Sequence, residues 1–283
     1  MESEHHQEGI NVSETRSIEA APAPRTRLSL AADLRQLGLR AGDAVLVHSS
    51  LSSLGWVCGG PVAVIQALQD VLTEDGTLVM PAHSGDLSDP GYWEHPPVPQ
   101  DWWPVIRGNM PAYDPARTPT RGMGRIAELF LTWPGVARSN HPVDSFAAWG
   151  KHAQEITAGH SLEYSLGEAS PLRRVCDLDG QVLLLGVGFE SNTCFHLAEI
   201  RSGRYDFILQ GAPVLENGRR AWKTYRDVDY QVDGFAECGA ALEAAGHVRQ
   251  GSVGSATPRL FSIRAAVEFA TRWFTDHRPP PAA

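Results

Sequence analysis

Apolar residues first recur at helical spacing at Leu30, Leu34 and Leu37, and Gly38 follows as a stop signal, so residues 28–39 are expected to form a helix. Residues 44–48 then form a short apolar run of strand length that opens into a serine-rich loop, 49–55. After Gly59-Gly60-Pro61 the helical pattern returns over 62–72, with Pro61 suited to a first turn, and 77–81 is a second buried strand. Strand, loop, helix and strand in that order make a βαβ unit and predict a parallel sheet with helices against it. Periodicity vanishes over 83–121, where Pro, Trp, Asp and Gly dominate; an irregular stretch of that length is expected to be functional. A helix is predicted over 125–132, a turn at Ser139-Asn140-His141-Pro142 and a strand over 146–150. Residues 181–188 are the most apolar strand and belong in the middle of the sheet, and a helix should begin near Thr193. Shorter strands are expected over 207–232, with Asn217-Gly218 as a hairpin turn, and helices over 235–245 and 263–274.

The chain has 283 residues, of which 42% are hydrophobic, enough for a sizeable core. One folded domain over 27–276 is expected, between a disordered tail at 1–26 and a loose tail at 277–283. No apolar run approaches the ~20 residues of a membrane span, and the N-terminal stretch lacks the basic and apolar halves of a signal peptide. The four cysteines are scattered without a CxxC pair, which points to reduced thiols in the cytoplasm rather than a disulfide framework or zinc ribbon. A net charge of −9 without any Lys/Arg cluster argues against a nucleic-acid partner and is compatible with a cationic small-molecule substrate.

Two places carry candidate chemistry. A strand that ends in small residues before a helix N-terminus can hold phosphate on backbone N–H groups. Ser49, Ser50, Ser52, Ser53 and Gly55 suit that role, although no Walker or GxGxxG pattern is present and a serine-rich helix cap fits equally. The second place is the exit of the central strand. His196 lies there, at the carboxyl edge where open parallel sheets collect ligands, and Glu199 is three residues on, on the same helix face. A carboxylate so placed can hold an imidazole tautomer for general-base work. Taken alone, His196 fits a cap or core position better than a catalytic one. A metal would need a third ligand; His48 or His141 can be proposed, but HExxH is missing. There is no GxSxG elbow, and Cys194 would point away from His196 on a helix.

Together the segments resemble the aminoglycoside 3-N-acetyltransferase family, which is unrelated to the GNAT acetyltransferases. The resemblance spans 28–274. It rests on Val45-Leu46-Val47-His48-Ser49-Ser50-Leu51 with Gly59-Gly60-Pro61, on Gly76-Thr77-Leu78-Val79-Met80-Pro81, and on Tyr113-Asp114-Pro115 with Thr118-Pro119-Thr120. It continues through Arg138-Ser139-Asn140-His141-Pro142, Ser145-Phe146-Ala147-Ala148-Trp149-Gly150, Ser170-Pro171-Leu172, Gly180-Gln181-Val182-Leu183-Leu184-Leu185-Gly186, His196-Leu197-Ala198-Glu199 and Gly251-Ser252-Val253-Gly254-Ser255-Ala256. The order and spacing of these motifs make it specific. The Trp-rich stretch Asp101-Trp102-Trp103-Pro104 departs from the family pattern.

The resemblance implies an α/β fold of the family's own kind, with a mixed central sheet around a parallel core, flanking helices and a smaller acceptor-side subdomain shaped by 83–121 and 205–235. It implies acetyl-CoA as donor, a 2-deoxystreptamine aminoglycoside as acceptor, no metal, and a cytoplasmic monomer or homodimer. His48 and the loop residues Ser49, Ser50, Leu51, Ser52, Ser53 and Leu54 would hold the donor's pyrophosphate, with Ser139, His141, Ser145 and Phe146 bordering that site. His196 matches the catalytic histidine. Asp227 and Asp229 match the acidic pair, one orienting the imidazole with Glu199 and both attracting ammonium groups. Asp86 and Trp102, with Asp89, Glu94, Asp101, Trp93 and Trp103, would then meet the acceptor; solvated loop surface accounts for the acids equally, and packing for the tryptophans. An ammonium must lose a proton before nitrogen can attack a thioester, a task for a neutral imidazole. Thr120 is a candidate oxyanion donor. Acetylation of another small amine, or stoichiometric binding of a cationic antibiotic, would leave the same residue pattern.

Overall fold

A computed structural model describes residues 22–281 together with Thr15, Ile18 and Glu19. Helix α1 (Arg27–Leu37) begins where Thr26 and Ser29 exchange side-chain-to-backbone hydrogen bonds, a reciprocal capping box. It ends at Leu37, two residues before the expected end at Leu39, because Gly38 with a φ of 116° turns the chain out of the helix. Strand β1 (Ala44–Ser49), helix α2 (Gly60–Leu72) and strand β2 (Thr77–Pro81) form the expected parallel unit, with Leu46 paired to Val79. Helices α3 (Trp103–Asn109) and α4 (Gly124–Phe130) follow, then strands β3 (Ala137–Arg138) and β4 (Phe146–Gly150). Next come α5 (Ala153–Thr157), α6 (Pro171–Asp177), strand β5 (Gln181–Leu185) and α7 (Cys194–Ser202). The hairpin β6 (Phe207–Glu216) and β7 (Arg219–Val228) precedes α8 (Phe235–Ala244), β8 (Arg249–Gln250), β9 (Arg259–Ser262) and α9 (Ile263–His277).

Seven strands form one mixed sheet in the order β3-β4-β2-β1-β5-β9-β8. β1 runs parallel to β2 and β5, while β4 and β9 join antiparallel outside that parallel core. Both faces are covered. Val45, Val47, Leu183 and Leu185 point to one side, against Leu34, Leu68 and Phe130; Leu46, Val182 and Leu184 point to the other, against Leu172, Phe195 and Phe274. Two-sided burial explains why β1 and β5 are continuous apolar runs rather than alternating ones. Among the described residues no helix is long and apolar enough to cross a membrane.

The hairpin stands apart as a two-stranded sheet. Asn217 and Gly218 both take positive φ, 51° and 74°, as a two-residue turn of this hand requires. The expected shorter strands are instead ten residues each, paired throughout. Arg219, Arg220, Lys223 and Arg226 break the apolar pattern because much of this hairpin faces water. The irregular 83–121 segment is held against it by polar bonds. The Asp89 amide donates to Gln210 Oε1 at 2.8 Å, Arg107 grips the Asp89 carboxylate at 2.9 and 2.7 Å, and the Tyr113 amide donates to the Pro213 carbonyl at 3.0 Å.

Most of the tail expected at 1–26 lies outside the described residues, but Arg25 and Thr26 do not belong to it: Arg25 pairs with the backbone of Trp56 and Cys58, and Thr26 caps α1. The tail expected at 277–283 also needs correcting at its start. His277 is the last residue of α9, and Arg278 bonds Glu199, Gln231 and Asp233.

Candidate active site

The carboxyl ends of β1, β2 and β5 open into a cavity of about 820 Å³. Ser49 to Ser52 form one wall, the α2 N-terminus at Gly60 and Pro61 another, and His48, His83 and His196 gather inside. Loop 49–55 rests on the exit of β5. The Ser50 amide donates to the Leu185 carbonyl at 3.0 Å and Ser53 Oγ to the Gly186 carbonyl at 2.9 Å.

His196 sits in the first turn of α7 and is 8% exposed. Its Nδ1 lies 2.8 Å from Glu199 Oε2, one helical turn along. Glu199 is 1% exposed, and its other oxygen accepts from the Arg278 guanidinium. A carboxylate can only accept, so Nδ1 carries the hydrogen and Nε2 is left with its lone pair for the cavity. The rings of Tyr230 and Phe235, each 4.9 Å away by centroids, fix the imidazole plane.

The other two histidines are kept neutral. Burial, with His83 and His196 nearby, pulls His48 down to about 3, and its Nε2 lies 3.3 Å from Thr193 Oγ1. Burial also lowers His83 despite the opposing pull of Asp144, and its Nε2 is buried without a partner.

A family model described as aminoglycoside 3-N-acetyltransferase matches residues 46–275. The chain is also 53% identical over 261 residues to the SPbeta prophage-derived aminoglycoside N(3')-acetyltransferase-like protein YokD of Bacillus subtilis, covering 92% of this chain and 96% of that one. The chain belongs to the aminoglycoside 3-N-acetyltransferase family. The crystal structure of YokD superposes with a TM-score of 0.91 over 93% of this chain and 98% of that one. Aminoglycoside N(3)-acetyltransferase IX of Micromonospora chalcea is 36% identical, over 88% of this chain and 93% of its own length. A structure of AAC-IIIb with CoASH is 32% identical with a TM-score of 0.79, covering 92% of this chain and all 100% of that one. The protein is thus an acyltransferase of this family, and His48 through Phe274 lie within the matched span.

Not every residue expected at the site reaches it. His48, Ser49, Ser50, Leu51, Ser52 and His196 line the cavity, and Glu199 stands directly behind His196. Ser53 is turned onto Gly186, and Leu54 is fully buried, because the loop closes as a 3-10 turn over 52–54 that packs its last residues inward. Ser139, His141, Ser145 and Phe146 are fully buried beneath the site rather than on its wall. Ser139 Oγ accepts from the Phe146 amide, Ser145 Oγ donates to the Ala82 carbonyl, and Phe146 meets the edge of His83. His141, Asp144 and Asp227 bring ligand-type atoms within 4.8 Å of one another, but His141 Nδ1 already accepts the Val143 and Asp144 amides and so braces a turn.

The acidic pair is split because β7 ends at Val228, between the two residues. Asp227 is 3% exposed and accepts from the Ser165 and Val228 amides and from Tyr230 Oη, so it reaches His196 only through Tyr230. Asp229 lines a separate cavity of about 370 Å³ on the far side of Glu199, with Asp206 and Asp233. Asp86 is half exposed and paired to Arg121, and Trp102 is 55% exposed; neither lines the cavity. Thr120 Oγ1 is buried without a partner and is also absent from the cavity wall.

Sequence reasoning missed His83, Thr193, Arg125, Glu190 and Arg278. His83 had a usable signal, since it follows the β2 end at Pro81 by two residues and therefore falls at the carboxyl edge of the sheet. Arg278 had none, in a stretch dominated by proline.

Proposed function

We propose that the protein transfers an acetyl group from acetyl-CoA to the 3-amino group of a 2-deoxystreptamine aminoglycoside, a resistance activity, with His196 as general base. The observation that carries this reading is the His196–Glu199 contact at 2.8 Å, facing a cavity of about 820 Å³ at the strand ends. The residues fit a diphosphate-bearing thioester: the hydroxyls of loop 49–52, the α2 N-terminus and Arg125 at the rim supply donors and positive potential. Acetyl-CoA would supply an activated acetyl group there. His196 Nε2 takes a proton from the acceptor ammonium as its nitrogen adds to the carbonyl, while Glu199 holds the tautomer and balances the imidazolium. His48, neutral at working pH, adds no competing positive charge beside the base. Burial pushes the Cys194 thiol up on the helix beneath, so that the cysteine nearest His196 in sequence is not poised to carry an acyl group, which favours direct attack. Single-domain organisation over 27–276 and an acceptor site bordered by 83–121 and 205–235 are part of the proposal.

One observation favours a second reading, a small amine with fewer charges. Glu190 is the one carboxylate among the described residues lining the cavity, whereas a polycation would gain from several. Release of free CoA thiol should be measured with gentamicin-, kanamycin- and apramycin-like acceptors and with simple monoamines. Turnover with the drugs is expected, and His196→Ala should lower kcat/KM by ~10²–10⁴-fold. Unimpaired turnover in that variant removes His196 from the base role. Turnover with monoamines alone replaces the aminoglycoside by the second reading.

A further inference from the structure

Glu199 is gripped from two sides. Its Oε2 meets His196 Nδ1 at 2.8 Å, and its Oε1 accepts Nη1–H of Arg278, which lies 79 positions away in sequence and beyond the matched span 46–275. A carboxylate at 1% exposure is tolerated when it is paired and hydrogen-bonded, and Glu199 has a partner on each oxygen. Once protonated it could donate to Nδ1, which would move the imidazole hydrogen to Nε2 and remove the lone pair the reaction needs. A guanidinium does not lose its charge at any working pH.

Arg278 is itself held. Nη2 donates to the carbonyls of Gln231 at 3.0 Å and Asp233 at 2.7 Å, and the guanidinium stacks 4.2 Å over the Phe274 ring. Resting on the proposed role of His196 as base, we infer that Arg278 is a positioning residue. It keeps Glu199 a carboxylate and thereby fixes His196 in the tautomer whose Nε2 is free for the acceptor's proton. Other charges face the pair. His48, His83 and Tyr230 surround His196, while Asp206, Asp229, Asp233, Arg204 and His277 border the cavity behind Glu199. Among these charges Arg278 is the cation in direct contact with Glu199.

The test compares Arg278→Met and Arg278→Lys in the full chain. Removing the cation raises the proton affinity of the Glu199–His196 pair, so the acid limb of the kcat/KM profile should move to higher pH by about one unit. In Arg278→Met, kcat should fall on the order of 10- to 100-fold with the KM for acetyl-CoA unchanged. Arg278→Lys keeps the charge, and its acid limb should stay at the wild-type pH. A purely structural loss would lower activity evenly without moving the limb. Titration of the His196 ring by NMR follows the same pair with no acceptor present. An Arg278→Met protein whose acid limb and His196 titration both match wild type overturns the inference. If the wild-type protein transfers no acetyl group and Arg278→Met still shifts the His196 titration, Arg278 stands as the support of Glu199 while the base role is rejected. If Arg278→Met does not fold, Arg278→Gln, uncharged but able to donate, gives the same two readouts.

Discussion

Asp227 shows how a single buried carboxyl can link the site's surroundings to pH. Burial, with the Asp144 charge nearby, raises it to about 7, while two backbone amides hold its oxygen in place. Burial would raise Asp144 as well, but His83 and His141 pull it down, so the buried proton belongs on Asp227. An unfolded Asp titrates near ~3.9. Between that value and about 7 the folded state keeps a proton that the unfolded state has released, so this group lowers stability as pH rises through the window. Asp227→Asn keeps the accepting oxygen and carries no charge. Relative to wild type it should gain stability from pH 4 towards pH 7, by a few kcal/mol at most. Urea unfolding at several pH values measures this, and parallel curves for the two proteins would show that Asp227 does not hold the proton.

At the scale of elements, the loop after β1 depends on one residue after β5. Gly186 has φ of 78°, and a Cβ there would lie 2.5 Å from Ser53 Cβ, the residue whose hydroxyl bonds the Gly186 carbonyl. Gly186→Ala should cost about 2–4 kcal/mol, the sum of left-handed strain and overpacking. Because the displaced loop forms the wall proposed for the donor, the KM for acetyl-CoA should rise more than kcat falls. A wild-type Tm together with an unchanged KM would show that the loop adjusts freely. The neighbouring elements differed in how legible they were. β1 and β5 announce themselves because both faces are buried, and α7 because it follows directly on the exit of β5. β6 and β7 do not, since β7 carries Arg219, Arg220, Lys223 and Arg226 on both of its faces through what are in fact ten-residue strands.

Across the whole molecule, buried neutral histidines should set the acid limit. Burial brings both His48 and His160 to about 3, whereas an unfolded histidine titrates near ~6.5. Unfolding below pH ~6.5 therefore takes up protons that the folded state refuses, and stability is lost progressively as pH falls towards 3. Two such groups outweigh the opposite slope of Asp227. The protein should be about 2 kcal/mol less stable at pH 4.5 than at pH 7.5. A flat or rising stability towards acid would place both histidines in contact with water.

The pattern of residues determined the layers, the parallel core, the serine loop at a strand's exit and the pairing of His196 with Glu199. Those features follow from backbone periodicity, which brings positions three apart together on a helix and aligns strand ends at one edge whatever surrounds them. Only the tertiary structure decided which charges converge. Asp229, thirty residues from Glu199 in the span containing the hairpin, faces a different cavity, whereas Arg278 arrives from 79 positions away to hold Glu199 in place. Partners that meet across the fold are set by how helices and strands pack. A charge in a proline-rich stretch gives no sign of where packing will deliver it.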